Sequence, residues 1–144
     1  MTLIAYSGNC ECGNSRVTVY LPQTLDKYHP RACDCNFCVP RQLSYLSDPD
    51  GMLEIEGLQP FKLQRQGSNK AVFVTCHECD TVIAVTFKRA NELKGALNSH
   101  LLSDAALLQP AISVSPKQLS ASDKVSRWQA LWLATSINGK VKRQ

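Results

Sequence analysis

The sequence predicts a mainly β domain closed by a C-terminal helix. Three observations carry that expectation. Short segments alternate apolar and polar residues at the two-residue period of half-buried strands. Clusters of Gly, Pro, Asn and Asp separate them as turns. One stretch near the end shows helical spacing instead. With 144 residues the chain has the length of one ordinary domain able to bury a core, and residues 1–144 are read as a single domain.

In Arg16–Leu21 ("RVTVYL"), Val17, Val19 and Leu21 share one face, and Arg16, Thr18 and Tyr20 the other. "MLEIEG" repeats the alternation through Leu53 and Ile55, and "FKLQRQ" through Phe61 and Leu63. Ala71–Thr75 ("AVFVT") and Thr81–Phe87 ("TVIAVTF") are β-branched and more continuously apolar, as buried strands are. They frame "CHEC" as strand, knuckle, strand. Tyr6 and Tyr45 are aromatic strand residues. Turns are expected at Ser47–Gly51, Gly57–Pro60 and Gly67–Lys70. Ala90–Leu97 reads as one or two helical turns. Ser120–Ser136 reads as the helix, because Ser120 and Asp123 resemble a capping box. Behind that cap Val125, Trp128, Leu131, Trp132 and Thr135 recur at helical spacing. The tryptophan stripe is assigned to core packing.

Composition removes several function classes. The formal net charge of +4 is mild and gathers only at Lys140, Lys142 and Arg143, too little to suggest a nucleic-acid partner. "MTLIAYSGNC" lacks the basic and apolar regions of a signal peptide, and no run approaches the ~20 apolar residues of a membrane span. A soluble, cytoplasmic protein with no membrane partner is therefore expected. In a reducing compartment, clustered cysteines are read as metal ligands rather than disulfides.

The seven cysteines form three clusters: Cys10-x-Cys12, Cys33-x-Cys35-x-x-Cys38 and Cys76-x-x-Cys79. Thiolates two or three positions apart on a tight turn can face one ion at the ~2.3 Å of a zinc–sulfur bond. Gly13 fits a knuckle turn that needs a positive φ, and Asn36 and Asp80 can take the same part. If Cys10, Cys12, Cys76 and Cys79 share one ion, they form a closed structural site. Cys33, Cys35 and Cys38 then remain as a three-thiolate set with an open position, the arrangement of a catalytic zinc. A rival grouping joins Cys10 and Cys12 to two of the middle three and leaves "CHEC" as a redox dithiol. Spacing does not choose between them. A single zinc with the other cysteines as buried small hydrophobes is the plainer alternative.

The histidines add less. His29 precedes the triplet and is a candidate fourth ligand or acid–base, although a solvated loop histidine is the plainer reading. His77 lies inside an occupied knuckle, and His100 has no companion motif. No catalytic triad, phosphate-binding glycine loop or carboxylate pair is convincing.

The stretches "CECGNSRVTV", "CDCNFC" and "FVTCHECDTVIAV" resemble, in order and spacing, the glutathione-dependent formaldehyde-activating enzymes and their centromere protein V relatives. The match spans residues 10–79 and uses every cysteine. The resemblance implies several coiled antiparallel sheets of the β-tent type. It also implies a structural zinc on Cys10, Cys12, Cys76 and Cys79, and a second, exchangeable zinc on Cys33, Cys35 and Cys38. The implied reaction joins formaldehyde to the glutathione thiol as S-hydroxymethylglutathione, a carbon–sulfur lyase run backwards. Val39 and Pro40 stand where many relatives have Arg after the triplet, Asp80 where many have Gly, and "VTC" where many have His-Phe-Cys. None of these removes a metal ligand. Arg31 and Arg41 lie close by and are candidates to hold a substrate carboxylate.

Three functions follow as expectations. One is a zinc-dependent carbon–sulfur enzyme acting on a small-molecule thiol or thiol–aldehyde adduct, with glutathione as co-substrate. The second is a non-catalytic zinc-binding interaction module. The third is a redox or metal-buffering protein.

Overall fold

Alternation decides which face each strand buries. In β2 (Ser15–Leu21), Ser15, Val17, Val19 and Leu21 point inward, and in β5 (Met52–Gly57) Leu53 and Ile55 do. The computed structural model that shows this describes residues 2–33, 38–40, 42–58, 60–66, 71–89, 92–114 and 120–137. The expected turn at Gly67–Lys70, together with Cys35, Asn36, Arg41 and the basic C-terminal residues, lies outside that range. The remaining strands are β1 (Ile4–Asn9), β3 (Arg31–Cys33), β4 (Ser44–Leu46), β6 (Lys62–Gln66), β7 (Ala71–Thr75), β8 (Val82–Arg89), β9 (Glu92–Asn98), β10 (Ile112–Val114) and β11 (Leu133–Ile137). Helix α1 (Ala121–Leu131) is the α-helix of the described residues. Short 3-10 turns occupy Leu25–Lys27, Ser99–Leu101 and Ala105–Leu107.

All the strands join one hydrogen-bonded sheet in the order β1-β2-β5-β11-β9-β4-β3-β10. Strand β9 is its branch point. One edge of β9 carries β8 along its length, from Ala84 opposite Leu97 to Arg89 opposite Glu92. The other edge carries β11 at Lys94 and Gly95, then β4 at Leu97 and Asn98. From β8 the branch continues through β7 to β6. The sheet is mixed rather than antiparallel throughout, because β11 runs parallel to β5 and β10 parallel to β3.

Two expectations are corrected. Of the helical turns expected over Ala90–Leu97, the first two residues lie outside the described range, and Glu92–Asn98 is instead strand β9, paired on both edges, with Leu93, Ala96 and Leu97 buried. The predicted helix over Ser120–Ser136 ends at Leu131, and Thr135, assigned to its apolar stripe, lies in β11. The C-terminal helix is present as α1, and among the described residues a strand, β11, follows it. Leu133–Ile137 fills the gap between β5 and β9, where its backbone groups find partners on both sides. Gly95 makes that junction possible, since a Cβ there would lie 2.7 Å from Thr135 Oγ1. Leu63 also departs from expectation: it is 46% exposed on β6, which among the described residues pairs with β7 alone.

The start of the helix is as expected. Ser120 is the N-cap and accepts a hydrogen bond from the Asp123 N–H at 3.1 Å. Trp128 and Trp132 stack at 5.0 Å between ring centroids, and Trp128 meets Phe87 at 5.6 Å. Both tryptophans pack on a secondary core that holds Cys38, Leu43, Tyr45, Phe73 and Val85. The main core gathers Val17, Val19, Leu53, Ile55, Val74, Ile83, Leu97 and Leu133, together with Cys10 and Cys76. No helix among the described residues is long and apolar enough to cross a membrane.

Candidate metal centre and adjoining cleft

Two hairpins deliver the outer cysteine pairs. Cys10 follows β1 and Cys12 lies in the β1–β2 turn; Cys76 follows β7 and Cys79 lies in the β7–β8 turn. The two turns are built alike. In each, the N–H of the first cysteine bonds to the carbonyl five residues on: Cys10 to Ser15 at 3.1 Å and Cys76 to Thr81 at 2.9 Å. Each also places a residue at positive φ just after its second cysteine, Gly13 at 78° and Asp80 at 59°. The N–H groups of those residues return to the carbonyls of Cys10 and Cys76, both at 3.1 Å. This left-handed position tolerates Gly best and Asp next, and a Lys62–Asp80 ion pair holds the second one.

The four thiols meet although the pairs are 66 positions apart. Cys10, Cys12 and Cys76 sulfurs are mutually 3.6 Å apart, and all four, with Cys79, lie within 4.8 Å of one another. These four can hold a metal ion. Cys10 and Cys76 are completely buried, whereas Cys12 is exposed at the rim. Nearby donors favour thiolates: the Ser15 N–H reaches Cys10 Sγ at 3.4 Å, Asn14 Nδ2 reaches Cys76 Sγ at 3.7 Å, and Thr81 Oγ1 lies 3.0 Å from Cys79 Sγ.

Those donors set the acidities. Burial pushes the Cys76 thiol up, but the Ser15 side chain and the backbone N–H groups of Cys79 and Glu78 outweigh it and bring it to about 5. Burial likewise raises Cys79, and its contacts with Thr81 reverse the sign and lower it. At Cys12 a backbone hydrogen bond at Asn14 favours the thiolate. Burial and the sulfurs of Cys10, Cys76 and Cys79 oppose it and push the thiol to about 12. The cluster thus shares its protons unequally, as close thiols must.

The middle triplet is only partly described. Cys33 ends β3. Cys38 is buried in the secondary core with its sulfur 3.4 Å from Tyr45 Oη, and Val39 beside it is 56% exposed. His77, in the knuckle turn, is exposed as expected. His29 does not approach the four-thiol cluster; its Nδ1–H donates to the Pro110 carbonyl at 2.9 Å. His100 Nε2 lies 3.2 Å from the Gln42 carbonyl.

Arg31 lines a cleft of about 360 Å³ together with Lys27, Tyr45, Asp48, Ile112 and Leu131. Burial lowers the Arg31 pKa, and the charge of Arg127 lowers it further. Tyr28 donates to Asp48 Oδ2 at 2.7 Å, and burial followed by that carboxylate raises the Tyr28 phenol. Sequence reasoning passed over Tyr45 as the neighbour of Cys38, and Ser15 and Thr81 as the sulfur partners. Ser15 acts on Cys10 through its backbone N–H, and Thr81 on Cys79 through its hydroxyl.

No protein-family profile and no curated protein matches the chain. Among solved structures, a Rhodobacter sphaeroides protein determined by structural genomics superimposes with a TM-score of 0.51 at 22% identity. The superposition covers 67% of this chain and 87% of that one, and it is a likeness of fold alone.

Proposed function

We propose that the protein is a zinc-dependent carbon–sulfur enzyme of the glutathione-dependent formaldehyde-activating type, acting on thiol–aldehyde adducts such as S-hydroxymethylglutathione. The observation that carries the proposal is the meeting of Cys10, Cys12, Cys76 and Cys79. Four thiolates about 2.3 Å from a zinc ion stand about 3.8 Å apart at tetrahedral angles, and the sulfur separations of 3.6 Å suit that size. Using the two outer pairs in one closed site leaves Cys33, Cys35 and Cys38 as the separate, open set that the family resemblance implies. The mainly β fold agrees with the resemblance at the level of class.

Cys33, Cys35 and Cys38 would hold the second zinc, which would supply the Lewis acidity that keeps a substrate thiol as thiolate, and the reaction is attack of that thiolate on a carbonyl carbon. The carbon–sulfur bond forms as the carbonyl π pair moves to oxygen, which takes up the proton the thiol has lost. The Tyr45 hydroxyl, 3.4 Å from Cys38 Sγ, would carry that proton.

Metal counting and turnover test the proposal together. Two zinc ions per chain are expected, one removed readily by a mild chelator, and Cys35→Ser should abolish turnover of thiol–aldehyde adducts while leaving the tighter zinc. Unchanged turnover in Cys35→Ser would end the enzymatic proposal. A non-catalytic zinc module is the second reading. It is favoured by Val39, a solvent-exposed apolar residue where relatives carry Arg, and by the burial of Cys38. A single tight zinc and no turnover would select it.

A further inference from the structure

The turn that leaves Cys38 contains a strained residue. Among the described residues, two that are not glycine take a positive φ, Asp80 at 59° and Gln42 at 53°. Asp80 belongs to a knuckle and is held by Lys62. Gln42 lies outside both knuckles. Its N–H bonds to the Val39 carbonyl at 3.0 Å, and the Leu43 N–H bonds to the Cys38 carbonyl at 3.2 Å. Those paired bonds are the closure of a Schellman motif, whose left-handed position ordinarily carries glycine. A β-carbon makes that conformation costly, and such strain persists only where neighbouring groups over-determine it. The neighbour here is His100, whose Nε2 lies 3.2 Å from the Gln42 carbonyl and 3.5 Å from Ser44 Oγ.

Hydrogen-bond chemistry assigns the protons of this cluster. A carbonyl only accepts, so Ser99 Oγ–H donates to the Ser44 carbonyl at 3.1 Å, and Ser44 Oγ–H donates to Ser99 Oγ at 2.7 Å. Ser44 then has no proton left for His100. By the same rule His100 Nε2 carries a hydrogen and donates it to the Gln42 carbonyl, so the ring is a donor here and not the base of a Ser–His pair. His100 is itself fixed from behind: Asn98 Oδ1 accepts its backbone N–H at 3.1 Å, and Asn98 Nδ2 donates to the Val82 carbonyl at 2.7 Å. This chain of bonds runs from β8 through the end of β9 to the turn after Cys38. Cys38 is 1% exposed, with its sulfur 3.4 Å from Tyr45 Oη. We propose that His100 is a positioning residue for the triplet: its Nε2–H clasps the left-handed Gln42 and so fixes the turn that sets the Cys38 sulfur against Tyr45. The effect on turnover rests on the chemistry proposed for the triplet, whereas the clasp and its hold on Cys38 do not.

Hydrogen exchange and alkylation test the clasp in the zinc-loaded full chain. The Leu43 N–H reports on the turn, and the Cys76 N–H, bonded to the Thr81 carbonyl in a knuckle, is the reference. His100→Ala should speed Leu43 exchange by about tenfold or more and leave Cys76 unchanged, since the opening is local. Alkylation of Cys38 by iodoacetamide should accelerate with it. His100→Gln, whose amide nitrogen can stand where Nε2 stands, should recover most of the protection. Adding Gln42→Gly to His100→Ala should also restore slow exchange, because glycine needs no clasp at a positive φ. Unmoved Leu43 exchange or Cys38 alkylation in His100→Ala would overturn the proposal, as would failure of the glycine rescue. Equal acceleration of Leu43 and Cys76 would make His100 a general stabiliser and overturn it as well. In turnover of a thiol–aldehyde adduct, His100→Ala should lower kcat and leave KM unchanged. An active parent matched in kcat by His100→Ala would overturn the positioning role even with a loosened turn. An inactive parent rejects the enzyme instead, and exchange and alkylation then decide the clasp alone.

Discussion

Cys76 and Cys12 occupy the same thiol cluster at opposite ends of the acidity range, about 5 and about 12. The difference comes from the surroundings: Cys76 has the Asn14 amide and the backbone N–H groups of Cys79 and Glu78 beside it, whereas Cys12 sits at the rim beside three sulfurs that compete for the same protons. At neutral pH the metal-free cluster therefore holds a thiolate at Cys76 and a thiol at Cys12. Zinc must displace the Cys12 proton, so affinity should rise with pH by at least about one decade per unit, because each ligand that loses a proton adds one. The sign is fixed by Cys12, whose folded pKa lies above the working range; Cys76 adds a loss of affinity only as pH falls through about 5. Competition against a chromophoric zinc chelator between pH 6 and 9 measures the slope. A flat profile would show that the cluster does not bind zinc through Cys12.

Among the elements, α1 is a short helix whose stability depends on its cap and on two rings. Its N-cap hydrogen bond is local, and Ser120→Ala should cost about 1 kcal/mol. Trp128 is half-buried between Phe87 and Trp132. Trp128→Ala should cost about 2 kcal/mol, below the about 3–5 kcal/mol of a fully buried ring. Denaturant unfolding of both variants gives the ranking, and a larger loss for Ser120→Ala would contradict the packing described. The outer pairs follow the same logic of local construction. Both knuckles close with a bond to the residue five positions on and a left-handed residue after the second cysteine. The motifs were legible because everything they need lies within six consecutive residues. Strands β9 and β11 were not. Glu92–Leu97 is rich in residues that favour helices, and Trp132–Thr135 continues the helical stripe of α1, yet both segments are strands. Local propensity differs by only tenths of a kcal/mol per residue, while a segment between two open strand edges satisfies backbone groups on both sides.

Across the fold, the cysteine cluster joins parts of the sheet that its own hydrogen bonds keep apart. Hairpin β1–β2 ends one arm and hairpin β7–β8 belongs to the branch, with β5, β11 and β9 between them. An ion held by both hairpins would close the curled sheet on itself. Structural zinc contributes on the order of 10 kcal/mol in small peptides, comparable with the total stability of a domain. Under the zinc proposal, Cys79→Ser should fail to fold or lose most of its cooperative melting transition. A soluble, fully folded Cys79→Ser protein with an unchanged melting temperature would contradict a stabilising ion at these four residues.

Residue order alone was enough to locate the two knuckles, the alternating strands β2, β5, β7 and β8, the capped start of α1 and the grouping of cysteines into pairs and a triplet. Each of these rests on interactions between residues close in the chain. The partners that the pairs would find, the strand identity of β9 and β11, and the position of Arg31 opposite Tyr45 and Ile112 depend on segments well apart in the chain. Spacing could offer two groupings of the thiols, and only the curl of a branched sheet brings Cys10 to within 3.6 Å of Cys76. Contacts of that kind are set by which edges remain open after the local elements have formed, and no short stretch of sequence contains that information.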